Sequence, residues 1–405
     1  METKVIYLIG FLLLFGTTYG QTGCTDPQAL NYNSIALVND GSCIYESTSM
    51  DLELVATLNS PELNENSGLV CLNNALWTIN DGGNSTVLYQ LDTLGNIIRQ
   101  VFVENVENND WEAITQNDTD LFIGDFGNNS GSRLNLNIIR IPKANLLDPL
   151  IDTVSGTALF FEYGDQVEFT GPSNGHNFDC EAFLAYQDSL YLFSKNWDDE
   201  KVKTYTLPFD WSDVYTASPV ESYNVDGLVT DVSIDPETER ITLLGYKDYG
   251  TGIYSSFIWL IWDFTEQGFF TGNKRRIEIG SMLSVGQTEG ISLATANRGY
   301  VSSEQINSII TIAPKLFSFD FEVFFSEPIL AVNTEKKGFS NWASPNPVRE
   351  LLKLHGLSGA YIIYTSLGLA VQEGCANGEE INVSNLKPGT YCLMTKTRKV
   401  RFVKT

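Results

Sequence analysis

Four carboxylates and a hydroxyl recur at matched places along this chain. Ser67, Glu112, Glu181, Asp231 and Glu289 each open a similar stretch, in which a small or apolar residue leads into an apolar run. Carboxylates gathered around one axis repel one another, so such a set needs protons, a cation or salt bridges. Calcium takes about six to eight oxygens in flexible geometry. Glu112, Glu181 and Glu289 are therefore expected to hold an axial calcium ion, with Ser67 and Thr230 or Asp231 completing its shell. Equally, these acids can accept hydrogen bonds from backbone N–H groups of neighbouring strands. A third use is catalytic, because paired carboxylates at a set separation carry out glycoside hydrolysis.

The elements that must position these residues are visible as five aligned copies. They begin NSGLVCLNNALWTINDGGN at Asn66, DWEAITQNDTDLFIGDFGNN at Asp110, DCEAFLAYQDSLYLFSKNWDD at Asp179, VTDVSIDPETERITLLGYKDY at Val229 and QTEGISLATANRGYVSSEQIN at Gln287. Each reads as two apolar strands around a short turn, and strand-like runs such as TVLYQLDTLG, LNLNIIRIP and SFIWLIWDF follow. Ser67 and Glu289 lie 222 residues apart over four steps, about 55 per copy. Four strands at that period are the signature of a propeller blade. The fifth copy lacks a clear last strand. DLELVATL, at 51–58 ahead of the first copy, is expected to supply it and close the ring, which removes two open edges. The expected fold is all-β: a five-bladed β-propeller, or a six-bladed one if the interval between the second and third copies holds a degenerate blade, followed by a small β-sandwich domain.

In a blade the first strand lines the channel and the second runs antiparallel to it. The five aligned residues should therefore ring one mouth. Asn80, Asp81, Asp125, Lys195, Asn196, Lys247 and Glu304, at the ends of second strands, should surround it as a ligand face. Trp77, Trp111 and Trp197 lie near the same mouth and are candidates to stack on sugar rings or to pack inside blades. His176 is a candidate base near Glu181, or a loop residue bonding nearby backbone. The blade starts resemble those of the five-bladed calcium-activated nucleotidases, and those of gluconolactonase-like and phytase-like esterase propellers. That resemblance implies hydrolysis around a central calcium, but only Lys195 and Lys247 are basic on the expected face. Five-bladed glycosidases are the other enzymatic comparison.

Composition narrows the partners. The 405 residues carry 25 Lys and Arg against 50 Asp and Glu, a net charge of -25. A chain this acidic repels phosphate backbones, so nucleic acid is not an expected partner. The charge is uneven: residues 336–405 hold ten basic and four acidic residues, while the rest is strongly acidic. That shift marks a boundary. With two histidines and no Cys pair at zinc-finger spacing, an imidazole-based zinc site is excluded.

The ends of the chain speak of export. Residues 1–20 read as a secretory signal peptide, with an apolar run too short to span a bilayer, so no transmembrane anchor is expected. Export permits disulfides. Residues 21–50 contain GCTDPQALNYNSIALVNDGSC, a polar loop expected to be stapled by Cys24 and Cys43. It resembles short modules at the ends of secreted proteins of gliding bacteria. Asp26, Asn31, Asn33 and Asp40 are either calcium oxygens or turn-forming residues. Cys71 and Cys180 fall on inner strands as thiols.

The propeller is expected over 51–335 and a distinct module over 336–405. The latter has Pro345-Asn346-Pro347 at its start, YTSLG, INVSNLKPGTY and a Lys/Arg-rich last strand. It resembles the type A C-terminal sorting domain of the type IX secretion system. Cys375 and Cys392 depart from that pattern and are a candidate extra disulfide. The resemblance implies that type IX secretion machinery is a partner and that the protein is secreted or held on the outer cell surface. The expected function is calcium-assisted binding of an extracellular ligand, a glycan or small molecule. The alternative is a calcium-dependent hydrolase of phosphoester, lactone or glycosidic bonds at the propeller mouth.

Overall fold

The structure is a computed structural model, and it describes residues 21–92, 94–250, 254–307, 311–325, 343–354, 359–365, 370–376, 380–395 and 399–405. The expected signal peptide, the end of the propeller beyond 325, the first residues of the C-terminal module and the turn at 366–368 lie outside them. The chain divides into two compact units, within residues 1–329 and 330–405.

Among the described residues, the first unit holds five four-stranded antiparallel blades. The first comprises Asn66–Leu72, Ala75–Asn80, Val87–Leu91 and Ile97–Glu104. The second comprises Trp111–Gln116, Asp120–Asp125, Asn137–Pro142 and Thr157–Tyr163. Asp179–Tyr186, Ser189–Lys195, Val202–Pro208 and Tyr215–Tyr223 make the third. Leu228–Asp235, Arg240–Asp248, Tyr254–Trp262 and Asn273–Ser281 make the fourth. The fifth takes Gln287–Leu293, Arg298–Glu304 and Lys315–Asp320 from its own repeat. Its outer strand, Glu53–Thr57, comes from before the first repeat and pairs antiparallel with Lys315–Asp320. The expected closure by 51–58 is therefore present. The inner strands neighbour one another in a closed cycle.

The interval between the second and third repeats holds no further blade. It contributes Thr153–Ser155, which pairs parallel with Ile97–Glu104 at the edge of the first blade. It then supplies the second blade's own outer strand, which also pairs with the third blade through Phe161↔Tyr215. Alternation explains the strands: in Thr157–Tyr163, Leu159, Phe161 and Tyr163 are buried while Phe160 and Glu162 face out. Inner strands are buried on both faces, as Val70, Ile114, Phe183, Val232 and Ile291 show.

Residues 21–50 pack against the fourth blade. Cys24 and Cys43 form the expected disulfide. Thr48–Ser49 adds a parallel strand beside Asn273–Ser281, and Tyr45 packs on Trp262 with ring centroids 5.7 Å apart. Arg275 stacks on Tyr45 at 5.2 Å. The Asx oxygens serve turns: Asp26 accepts from Gln28 N and Tyr45 Oη, Asn31 from Ile44 N, Asn33 from Ile35 N and Asp40 from Ser42 N.

The second unit is a small sandwich. One sheet holds Ala343–Ser344, Leu351–Leu354 and Glu380–Asn382, and the other Gly359–Thr365, Ala370–Ala376, Gly389–Thr395 and Lys399–Lys404. Leu352, Leu354 and Ile381 meet Ile363, Leu393 and Phe402 in one core. The candidate bridge between Cys375 and Cys392 is corrected here, since both thiols are free. Their strands flank Gly359–Thr365 on opposite sides, about 9–10 Å apart at sheet spacing, beyond disulfide reach.

Candidate functional site at the propeller mouth

The expected mouth exists because of antiparallel register. Inner strands start where second strands end: Asn66 faces Asn80, Trp111 faces Asp125, Asp179 faces Lys195, Leu228 faces Tyr246 and Gln287 faces Glu304. Each inner strand carries a β-bulge at its second or third residue. The unpaired residues are Gly68, Glu112, Glu181, Thr230 and Glu289. A bulge leaves one residue out of the ladder and re-aims its side chain. The equivalent positions are therefore Gly, Glu, Glu, Thr and Glu.

This register corrects two alignments. Ser67 stands one residue before the bulge and Asp231 one after it. Ser67 Oγ donates to the Glu112 carbonyl oxygen at 2.5 Å, tying the first blade to the second. Asp231 is fully buried; it accepts from Val232 N at 2.8 Å and Ile291 N at 2.7 Å, and so ties the fourth blade to the fifth. Burial pushes its carboxyl well up, and those backbone donors oppose the shift. Thr230 Oγ1 donates to the Thr288 carbonyl at 2.9 Å. Gly68 has φ +59°, and a Cβ there would lie 2.9 Å from the Ala113 Cα of the next blade. Only glycine fits this approach.

The remaining acids meet a lysine. Lys195, 3% exposed, donates to Glu181. Its ammonium also lies 4.8 Å from the Trp197 ring centroid and 5.2 Å from that of Tyr246. Burial opposes its charge, but Glu181 and the other acids hold its pKa well above the usual lysine value. Glu112 accepts no hydrogen bond among the described residues. Burial, and then Glu181 and Asp110, push its carboxyl well up. Burial also raises Glu181, while Lys195 pulls it back. A buried ammonium in direct contact favours the charged form of that one carboxylate. Glu289 is raised by burial and lowered by Lys195, and it accepts from Gln287 Nε2 at 2.7 Å.

A partly exposed rim surrounds this buried ring. Burial, with Glu289, Asp81 and Glu181, pushes Glu304 up to about 9. Burial, with Glu65 and Asp110, pushes Asp81 up to about 7. Burial pushes Asp110 up to about 6. Trp197 completes the rim and donates from Nε1 to Asp179 at 2.7 Å.

Other expected face residues are engaged in holding the fold. Asp125 accepts from Asp110 N, Asn109, Asn137 and Arg133. Asn80 donates to the Glu62 carbonyl, and Asn196 bonds Ser194 and Asp199. Lys247 pairs with Glu200 and Asp226. His176 accepts from Phe178 N at Nδ1 and bonds the Asn129 carbonyl at Nε2, which is the loop role. Trp77 and Trp111 are core residues, 2% and 0% exposed, whereas Trp197 is partly exposed. Asp110, Asp179 and Tyr246 were not anticipated. The repeated Asp-x-Glu of DWE and DCE was a signal for the first two.

Calcium fits this arrangement poorly. Among the described residues, no three His, Cys, Asp or Glu side chains converge closely enough to share a metal ion. Ser67, Thr230 and Asp231 spend their oxygens between blades, and Lys195 supplies the positive charge that the ring requires.

No protein-family model matches the chain, and no curated relative matches it. Among solved structures, the chain resembles PorZ, a surface component of the type IX secretion system of Porphyromonas gingivalis, at 14% identity and TM-score 0.31. That match covers 91% of this chain and 48% of the other, so this chain spans about half the length of PorZ. It also resembles the α-L-arabinanase of Penicillium chrysogenum complexed with arabinobiose, at 10% identity and TM-score 0.36, over 68% of this chain and 99% of that one. The fructan 1-exohydrolase IIa of Cichorium intybus matches at 8% identity and TM-score 0.33, over 78% and 68% of the two chains. Among the described residues no helix is long and apolar enough to cross a membrane.

Proposed function

We propose that this protein is an exported propeller that binds a neutral polyhydroxylated ligand, a glycan or small polyol, at its acidic mouth. The observation that supports this reading is the pairing of Glu181 with Lys195 beside buried carboxyls that lack such a partner among the described residues. Glu181 is paired with the Lys195 ammonium, while burial pushes Glu112 well up and pushes Glu304 up to about 9, so that Glu304 keeps its proton around neutrality. Protonated carboxyls donate and ionised ones accept, so the mouth offers both to hydroxyl groups. Trp197 adds an apolar face beside them.

Its location belongs to the same proposal. The signal-peptide pattern at the start and the sorting-domain pattern at the end support passage through type IX secretion machinery to the medium or outer cell surface. An axial calcium is a separate proposal, which requires Lys195 to withdraw and the three ring glutamates to converge.

The test is a glycan array followed by calorimetry with the full chain. Binding of a neutral glycan that weakens in Glu304→Gln and Lys195→Met supports the reading. Binding only of charged ligands, or none, overturns it. A hydrolytic reading rests on Glu112, whose carboxyl burial pushes well up and which accepts no hydrogen bond among the described residues, beside Glu181 paired with Lys195, an arrangement that suits an acid and its partner. Turnover of aryl glycosides that is lost in Glu112→Gln would establish it.

A further inference from the structure

The end of the propeller away from the mouth contains a second candidate site. The turns between first and second strands of blades three and four meet there, together with the loop 263–272. They line a half-open cavity of about 560 Å³, within the range of small-molecule sites, about 300–1,000 Å³. One wall is aromatic. Tyr191 and Phe264 stand edge-to-face on Phe269 with centroids 4.9 and 5.1 Å away, and Tyr186 stands 5.9 Å from it.

Among the described residues, every charged one lining this cavity is acidic, and none is Lys, Arg or His. Glu221 is committed to the wall: it accepts from Phe269 N at 2.6 Å and Phe270 N at 3.2 Å. Gly268 stands beside it at φ +148°, a backbone conformation that residues with a side chain rarely adopt. Glu239 reaches from blade four to blade three and accepts from Tyr186 Oη at 2.6 Å. It does so from a left-handed turn position, φ +53°, which is strained for glutamate. Glu266 has no hydrogen bond or ion pair among the described residues. Lys274, close to Glu221, donates to the carbonyls of Gly41, Phe270 and Gly272 and does not line the cavity.

We propose that this cavity binds an organic cation of side-chain size, an alkylammonium or guanidinium group. Its apolar stem lies against the aromatic wall and its charge sits by Glu239 and Glu266. Aromatic faces attract cations, and the exposed Glu239 and Glu266 carboxylates, with no basic residue among the lining, add to that attraction. A neutral sugar would leave the acidic lining uncompensated. This site is independent of the mouth, since it lies at the other end of the strands.

The test titrates the full chain with arginine amide and lysine amide by calorimetry and ligand-observed NMR. Citrulline amide and norleucine amide serve as uncharged counterparts. The cations are expected to bind at least about tenfold more tightly than their counterparts, and to weaken as salt rises. The double variant Glu239→Gln/Glu266→Gln, checked for an unchanged melt, is expected to lose at least about tenfold in affinity. A Gly-Arg-Gly peptide separates the sources: tighter binding than the amide assigns a protein side chain, weaker binding a free cation. Equal binding of the uncharged counterparts, no binding, or indifference to the double variant overturns the proposal.

Discussion

The Lys195 ammonium and the Glu181 carboxylate form a buried ion pair, 3% and 6% exposed, at the mouth of the channel. Their encounter depends on one extra residue. Register sets Lys195 opposite Asp179, and the bulge between Cys180 and Ala182 frees Glu181 from the ladder. The cation that neutralises the ring is thus part of the chain.

Removing that cation should be costly. Lys195→Met leaves Glu181 buried without its partner, a change worth about 3–5 kcal/mol when one member of a buried pair is lost. Thermal or denaturant melts should show this loss. The double variant Lys195→Met/Glu181→Gln should recover much of it, because no unpaired charge is then buried.

Calcium should matter little to the native protein. Melting with calcium and with chelator is expected to coincide, because Lys195 already balances the ring. In Lys195→Ala, calcium should raise the melting temperature, with Glu112, Glu181 and Glu289 released to face it. A large calcium response in the native protein would instead restore the axial-metal reading.

Stability should fall as the solution becomes more alkaline. Folding raises the pKa of Glu304 to about 9 and that of Asp81 to about 7, above their ordinary values. The folded state then holds more protons than the unfolded one across that interval, so unfolding becomes easier as pH rises. The contribution is complete below the ordinary carboxylate range and lost by pH 9. Melts from pH 5 to pH 9 should decline, and Glu304→Gln should flatten the upper part of the curve.

Closure of the ring should depend on the strand that precedes the first repeat. Leu58, at its end, is 2% exposed in the core of the first and fifth blades, and its N–H donates to the Pro314 carbonyl at 2.9 Å. Leu58→Ala should cost about 2–5 kcal/mol, as buried leucine truncations do. Denaturant melts measure it. Proteolysis should then begin in the fifth blade, whose outer strand this segment supplies.

The sequence by itself determined the repeating blade, the closing strand at Glu53–Thr57, the Cys24–Cys43 staple and the sandwich that follows. These are legible because alternation, repeat period and cysteine spacing are local properties. It also named most of the acids at the mouth, since an antiparallel pair brings the start of one strand beside the end of the next. Only the tertiary structure decided which residue of each inner strand leaves the ladder. A one-residue bulge depends on register against a partner strand, so Gly68 stands in place of Ser67, and of the two alternatives Thr230 and Asp231 it is Thr230 that leaves the ladder. The same holds for Trp77 and Trp111, whose residue type suits a sugar or a core, and whose burial depends on neighbouring strands. The role of Lys195 as the ring's cation, and the cavity shared by blades three and four, arise from residues distant in sequence. No local pattern encodes them, because burial and the pairing of charges are settled only when the blades meet.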